Sequence, residues 1–143
     1  MNIFYLILVV AGVIFFYLFV INLHAILKSR VVKSYICNFS YHADINSVVD
    51  NKVMGMLYFP EKISFVVYVG VTPEGIFIYS LYKFSIVIPW KNLAAVRVIN
   101  AKGSILANLR LYSEGIVDRK LLIPWKNEFN SEIPLGVVVI VDS

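Results

Sequence analysis

Two histidines, His24 and His42, and one cysteine, Cys37, are the side chains best able to act as nucleophile, base or soft metal ligand. Cys37 and His42 stand five residues apart, close enough to suggest a thiolate–imidazole pair. A thiolate nucleophile needs a base and a third group to orient it. Zinc needs three or four closely spaced ligands. Beyond the apolar N-terminus the chain supplies one histidine and one cysteine, so both schemes lack parts. Asp44 and Asp50 form a candidate carboxylate pair, but Asn46, Ser47 and Asn51 around them read as a solvated loop. Their spacing is also not that of a calcium loop. The glycine patterns that cradle phosphates or expose a nucleophilic serine do not occur. We therefore expect no catalytic residues, no cofactor, no metal and no small-molecule substrate.

The other candidate residues sit in an internal echo. Ile88-Pro89-Trp90-Lys91-Asn92 recurs unchanged as Ile123-Pro124-Trp125-Lys126-Asn127, and each copy follows a short apolar run. One reading makes Trp90, Lys91, Trp125 and Lys126 a shared recognition surface, since tryptophan is favoured at binding hot spots. The other makes the copies two similar strand exits. Proline lacks the ladder donor and ends pairing, tryptophan folds over the open core, and asparagine caps a short helical turn. The copies diverge afterwards, Leu93-Ala94-Ala95 against Glu128-Phe129-Asn130, so there is no repeat array.

These residues must be positioned by the elements around them, and the first is unmistakable. Ile3 to Ile21 is nineteen residues without a charge, an amide or a proline, and fifteen of them are Ile, Leu, Val or Phe. Continued to Leu27, such a helix is about 37 Å long at 1.5 Å per residue, against a hydrocarbon core of roughly 30 Å. A cleaved secretory signal wants basic residues before the run and a small-x-small site after it. Only Met1 and Asn2 precede this run, and Leu23-His24-Ala25 places a large residue at the site. We expect an uncleaved anchor over 1–27, with His24 at the lipid–water boundary. Lys28, Arg30 and Lys33 follow within six residues. Basic flanks stay on the cytoplasmic side, so the N-terminus is expected outside and the remainder in the cytoplasm. A lone Cys37 fits a reducing compartment.

After a connector over 28–52, with a short strand expected around Tyr35–Tyr41, the pattern over 53–143 turns to β. Ile63–Val71, the turn Thr72-Pro73-Glu74-Gly75 and Ile76–Tyr82 read as a hairpin. Further strands are expected at Ser85–Ile88, Ala95–Ile99, Ile105–Tyr112, Lys120–Ile123 and Gly136–Val141. Met54 to Pro60 reads as core, or else as a surface against the bilayer or a partner. Short strands without a long helical period imply one all-β domain, an antiparallel barrel or sandwich. Of thirteen basic residues, three flank the anchor, which leaves ten against nine acidic ones. A near-neutral domain without a basic stripe makes nucleic acid an unexpected partner.

Thr72-Pro73-Glu74-Gly75-Ile76-Phe77-Ile78-Tyr79, then Ile88-Pro89-Trp90-Lys91-Asn92-Leu93 and a strand through Val96-Arg97-Val98, resembles the bacterial membrane-anchored pleckstrin-homology-like domains. The resemblance covers about residues 60–126. It implies a small β-barrel serving as a docking module at the bacterial inner membrane, not an enzyme. Such domains close with an amphipathic helix, whereas Pro134-Leu135-Gly136 and the valines after it read as a strand. The expected function is therefore a single-pass protein presenting its β domain to a protein partner or membrane assembly. Two alternatives stay open. One is a lipid-headgroup sensor using Lys28, Arg30 and Lys33; the other is an envelope component with the domain outside the cytoplasm.

Overall fold

Asn2 starts the first helix by covering its free donors. Its side-chain oxygen accepts from the Phe4 amide at 3.3 Å, and its carbonyl accepts from Tyr5 and Leu6 at 3.0 and 3.3 Å. Helix α1 then runs from Ile3 to Ile36 in a computed structural model that describes residues 2–37, 39–43, 51–58, 64–80, 84–101, 103–113 and 116–142. Asp44, Asn46, Ser47 and Asp50, weighed above, lie outside those residues. The chain divides into two units, Met1–Ser34 and Tyr35–Ser143.

In the first unit, α1 is long and apolar enough to cross a membrane. Ile3 to Val20 present large apolar side chains around the whole circumference. Asn22, the first amide in the apolar stretch, donates to the Leu18 carbonyl at 2.9 Å, so its donor is satisfied within the helix. The helix does not stop where the apolar run stops. Lysine and arginine are good helix formers, and Lys33 in the last turn favours the negative end of the helix dipole. The strand expected around Tyr35–Tyr41 is therefore corrected: Tyr35 and Ile36 finish α1, and among the described residues of that span Tyr41 alone belongs to a strand.

The second unit is all-β and mostly antiparallel. Its strands are β1 (Tyr41–His42), β2 (Lys52–Tyr58), β3 (Ser64–Val71), β4 (Gly75–Ser80), β5 (Phe84–Pro89), β6 (Leu93–Ala101), β7 (Ser104–Ser113), β8 (Ile116–Pro124) and β9 (Val138–Val141). They form one sheet in the order β1-β5-β4-β3-β2-β8-β7-β6-β9. This is a four-stranded meander, β2 to β5, beside a three-stranded one, β6 to β8. The seam between them is the β2–β8 pairing, registered through Tyr58 and Leu122. β1 is antiparallel on β5 at one edge, and β9 is parallel to β6 at the other.

Alternation decides which side chains enter the core. Val67, Val69 and Val71 of β3 are buried while Val66 is exposed. On β7, Ala107, Leu109 and Leu111 are buried while Arg110 is exposed. Central β4 is covered on both faces: Ile76 and Ile78 face the core, and Phe77 joins Ala43 and Val87 in a small cluster on the other side. In β2, Leu57 is buried and Met54 is 59 % exposed, so that greasy stretch belongs partly to core and partly to surface. The C-terminal strand expected from Gly136 begins at Val138. Asp142 holds it to β6, its amide donating to the Val98 carbonyl at 3.0 Å and its carboxylate pairing with Arg97 at 2.6 Å.

Candidate functional site

Thr72-Pro73-Glu74-Gly75 folds into a tight turn because Thr72 bonds across it three ways. The Thr72 amide and hydroxyl both donate to the Gly75 carbonyl, at 2.8 and 3.0 Å, and the hydroxyl accepts from the Gly75 amide at 3.1 Å. The first pentapeptide then grips this turn. The Trp90 amide donates to the Glu74 carbonyl at 3.3 Å, and its indole Nε1 donates to the Pro73 carbonyl at 3.1 Å. Asn92 reaches the Phe39 carbonyl with its side-chain amide at 2.9 Å. Trp90 is left half-buried and Lys91 exposed. A 3-10 turn over Trp90–Asn92 does follow the proline, but no side chain caps it. The capping role expected of asparagine is corrected: Asn92 ties the turn to the segment before β1.

The second pentapeptide has the same backbone logic and a different outcome. Trp125 is only 2 % exposed. Its amide donates to the Ile105 carbonyl at 3.0 Å, and its indole donates to Asn130 Oδ1 at 2.8 Å. The Phe129 ring stands edge-on to it, centroids 5.1 Å apart. Lys126 is half-buried, with its ammonium over the Phe129 ring at 5.1 Å and its Nζ bonded to Asn51 Oδ1. Trp125 therefore cannot offer its ring to a partner, because the 3-10 turn Asn127–Glu132 closes over it. Trp90 and Lys91 remain as the accessible pair.

Both prolines end their strands against a glycine. Pro89 is registered opposite Gly75 on β4, and Pro124 lies over Gly55 on β2. The echo is thus a pair of strand exits, and only the first also presents a tryptophan to solvent.

A cleft of about 400 Å³ adjoins the first exit. Ala43, Phe77 and Val87 form its base, and Tyr41, Pro73 and Glu74 its rim. Tyr41 donates its phenol to Glu74 Oε2 at 2.5 Å. That bond holds the neutral phenol, so the Tyr41 pKa lies above its ordinary value; burial and the charge of Glu74 push the same way. His42 and Thr72 complete the lining. Tyr41 and Glu74 went unnoticed in the sequence because thirty-three residues separate them and the acid reads as an ordinary turn residue. Cys37 is exposed, and among the described residues no group of three His, Cys, Asp or Glu could hold a metal. Arg30 and Lys33 are exposed on α1, with Lys28 partly covered. The arrangement suits recognition: an apolar floor, one carboxylate and a half-exposed indole beside it.

No protein-family model, no curated protein and no solved structure matches the chain.

Proposed function

We propose that this is a non-enzymatic single-pass membrane protein. Its α1 anchors a pleckstrin-homology-like β domain at the cytoplasmic face, where the corner built by Trp90, Lys91 and the Thr72–Gly75 turn docks a protein partner. The observation that carries the reading is Trp90, whose two N–H groups are both spent on the turn while its ring stays half-buried. An indole fixed in this way makes contact at little cost in side-chain freedom. The four-plus-three arrangement of meanders supports the domain assignment. The basic collar of Lys28, Arg30 and Lys33 supports the sidedness.

Sidedness is tested with Cys37→Ser combined with Leu135→Cys, since Leu135 is fully exposed. An impermeant maleimide is expected to label this variant only after cells are permeabilised. Labelling of intact cells would place the domain outside and overturn the cytoplasmic assignment.

Docking is tested with a photo-crosslinking residue at Lys91 of the full-length chain in host membranes, compared with one at exposed Asn100 on β6. Lys91 is expected to give a discrete protein adduct that Trp90→Ala weakens at least about fivefold, the effect of losing a hot-spot contact. Equal adducts from both positions, or no response to Trp90→Ala, would sink the docking role.

A further inference from the structure

We propose that the cleft between β1 and the Thr72–Gly75 turn receives the alkylammonium end of a lysine side chain from a partner protein, an inference that rests on the docking role above. The lining sets the sign of the ligand. Among the described residues that line the cleft, Glu74 is the carboxylate and none is a lysine or arginine. A phosphate or an acidic peptide would meet that carboxylate with like charge. A zwitterionic lipid headgroup would set its phosphate beside the same group, which favours a protein ammonium over a lipid one.

The shape sets the rest. Ala43, Phe77 and Val87 are 8 %, 7 % and 5 % exposed and give an apolar floor. A lysine stem covers such a surface with methylenes while its head stays at the polar rim. Tyr41 and Phe77 also put aromatic rings in the lining, and aromatic rings attract cations. Tyr41 already occupies Glu74 Oε2. A guanidinium fork bridging both oxygens would have to share Oε2 with the Tyr41 phenol, whereas a single ammonium N–H can donate to Oε1 alone, which favours the point charge of an ammonium.

The test uses the full chain in a maltoside micelle, whose headgroup carries no ammonium to compete. Two tryptophans give two indole N–H resonances, assigned with Trp90→Phe. The Trp90 signal reports on the cleft through its bond to Pro73, a rim residue, and the Trp125 signal serves as the fold control. Titration with n-butylammonium is expected to shift the Trp90 signal saturably and leave that of Trp125 in place. n-Butanol, the neutral counterpart, should bind at least tenfold more weakly. Glu74→Gln, which keeps an acceptor for Tyr41, should raise the butylammonium Kd at least tenfold. Absence of a saturable shift, equal affinity for butanol, or an unchanged Kd in Glu74→Gln would overturn the proposal. If Glu74→Gln loses the native Trp125 signal, the butylammonium–butanol comparison on the native chain decides alone. Failure here with the Lys91 adduct intact overturns the lysine assignment and leaves docking standing. Success here without that adduct leaves the cleft an alkylammonium site and overturns both the docking role and the partner protein as the source of the lysine.

Discussion

Replacing Gly75 with alanine is expected to destabilise the β unit by about 3 kcal/mol or more, at or above the top of the range for overpacking. The cause is steric. A Cβ built on Gly75 would lie 2.0 Å from the Ile88 carbonyl oxygen, 2.7 Å from its carbon and 2.9 Å from Pro89 Cα. These are backbone atoms of the paired strand, so no rotamer change relieves the contact. Moving β5 would also disturb Trp90, whose amide reaches back to Glu74. Gly55→Ala is the milder case, because its nearest neighbour is the Pro124 side chain at 2.6 Å. Gly103→Ala isolates a different effect. Gly103 has φ +82° with open space around it, so its cost is conformational, about 1 kcal/mol. Urea titration of the micelle-bound chain, followed by the fluorescence of buried Trp125, should rank Gly75→Ala well above Gly103→Ala. Equal midpoints for those two variants would contradict the close approach of β4 and β5. A domain of this size has roughly 5–15 kcal/mol to lose, so Gly75→Ala takes a large share.

The sequence announces Gly75 as a turn residue but does not announce why it must lack a side chain. That contrast is general in this protein. The β3–β4 hairpin is legible because β-branched residues flank a Thr-Pro-Glu-Gly turn, and both signals are local. The long apolar helix is legible because nineteen residues without a charge, an amide or a proline leave it no polar face. The end of α1 is not legible because the apolar run ends before the helix does. Lys28 to Lys33 change the solvent the helix prefers, not its propensity to be helical. The Tyr41–Glu74 contact was invisible because neither residue is unusual alone, and β1 has only two residues to set its register on β5. Identical pentapeptides also concealed unlike fates. The difference lies in the residues that follow them: Phe129 and Asn130 fold back over Trp125, whereas Leu93 leads from Trp90 directly into β6.

That difference makes the two tryptophans a matched experiment. Trp125→Ala removes a fully packed indole, its edge-on contact with Phe129 and its bond to Asn130, and should cost about 3–5 kcal/mol. The loss includes consequences beyond the ring itself. Asn130 would keep a partly buried carbonyl without its donor, and Lys126 would lose the order of the aromatic surface it covers. Trp90→Ala removes a half-buried ring and one hydrogen bond to an exposed turn, and should cost about 1 kcal/mol. Pulse proteolysis in urea suits the comparison because it reads the unfolded fraction without depending on tryptophan emission. Trp125→Ala is expected to lower the midpoint several times further than Trp90→Ala. The Lys91 adduct should respond in a different way. At urea concentrations where both variants remain folded, Trp90→Ala should weaken it and Trp125→Ala should not. Equal destabilisation by the two changes would mean that both strand exits are packed alike. Trp90 would then be a core residue, and the surface on which the docking role depends would be lost.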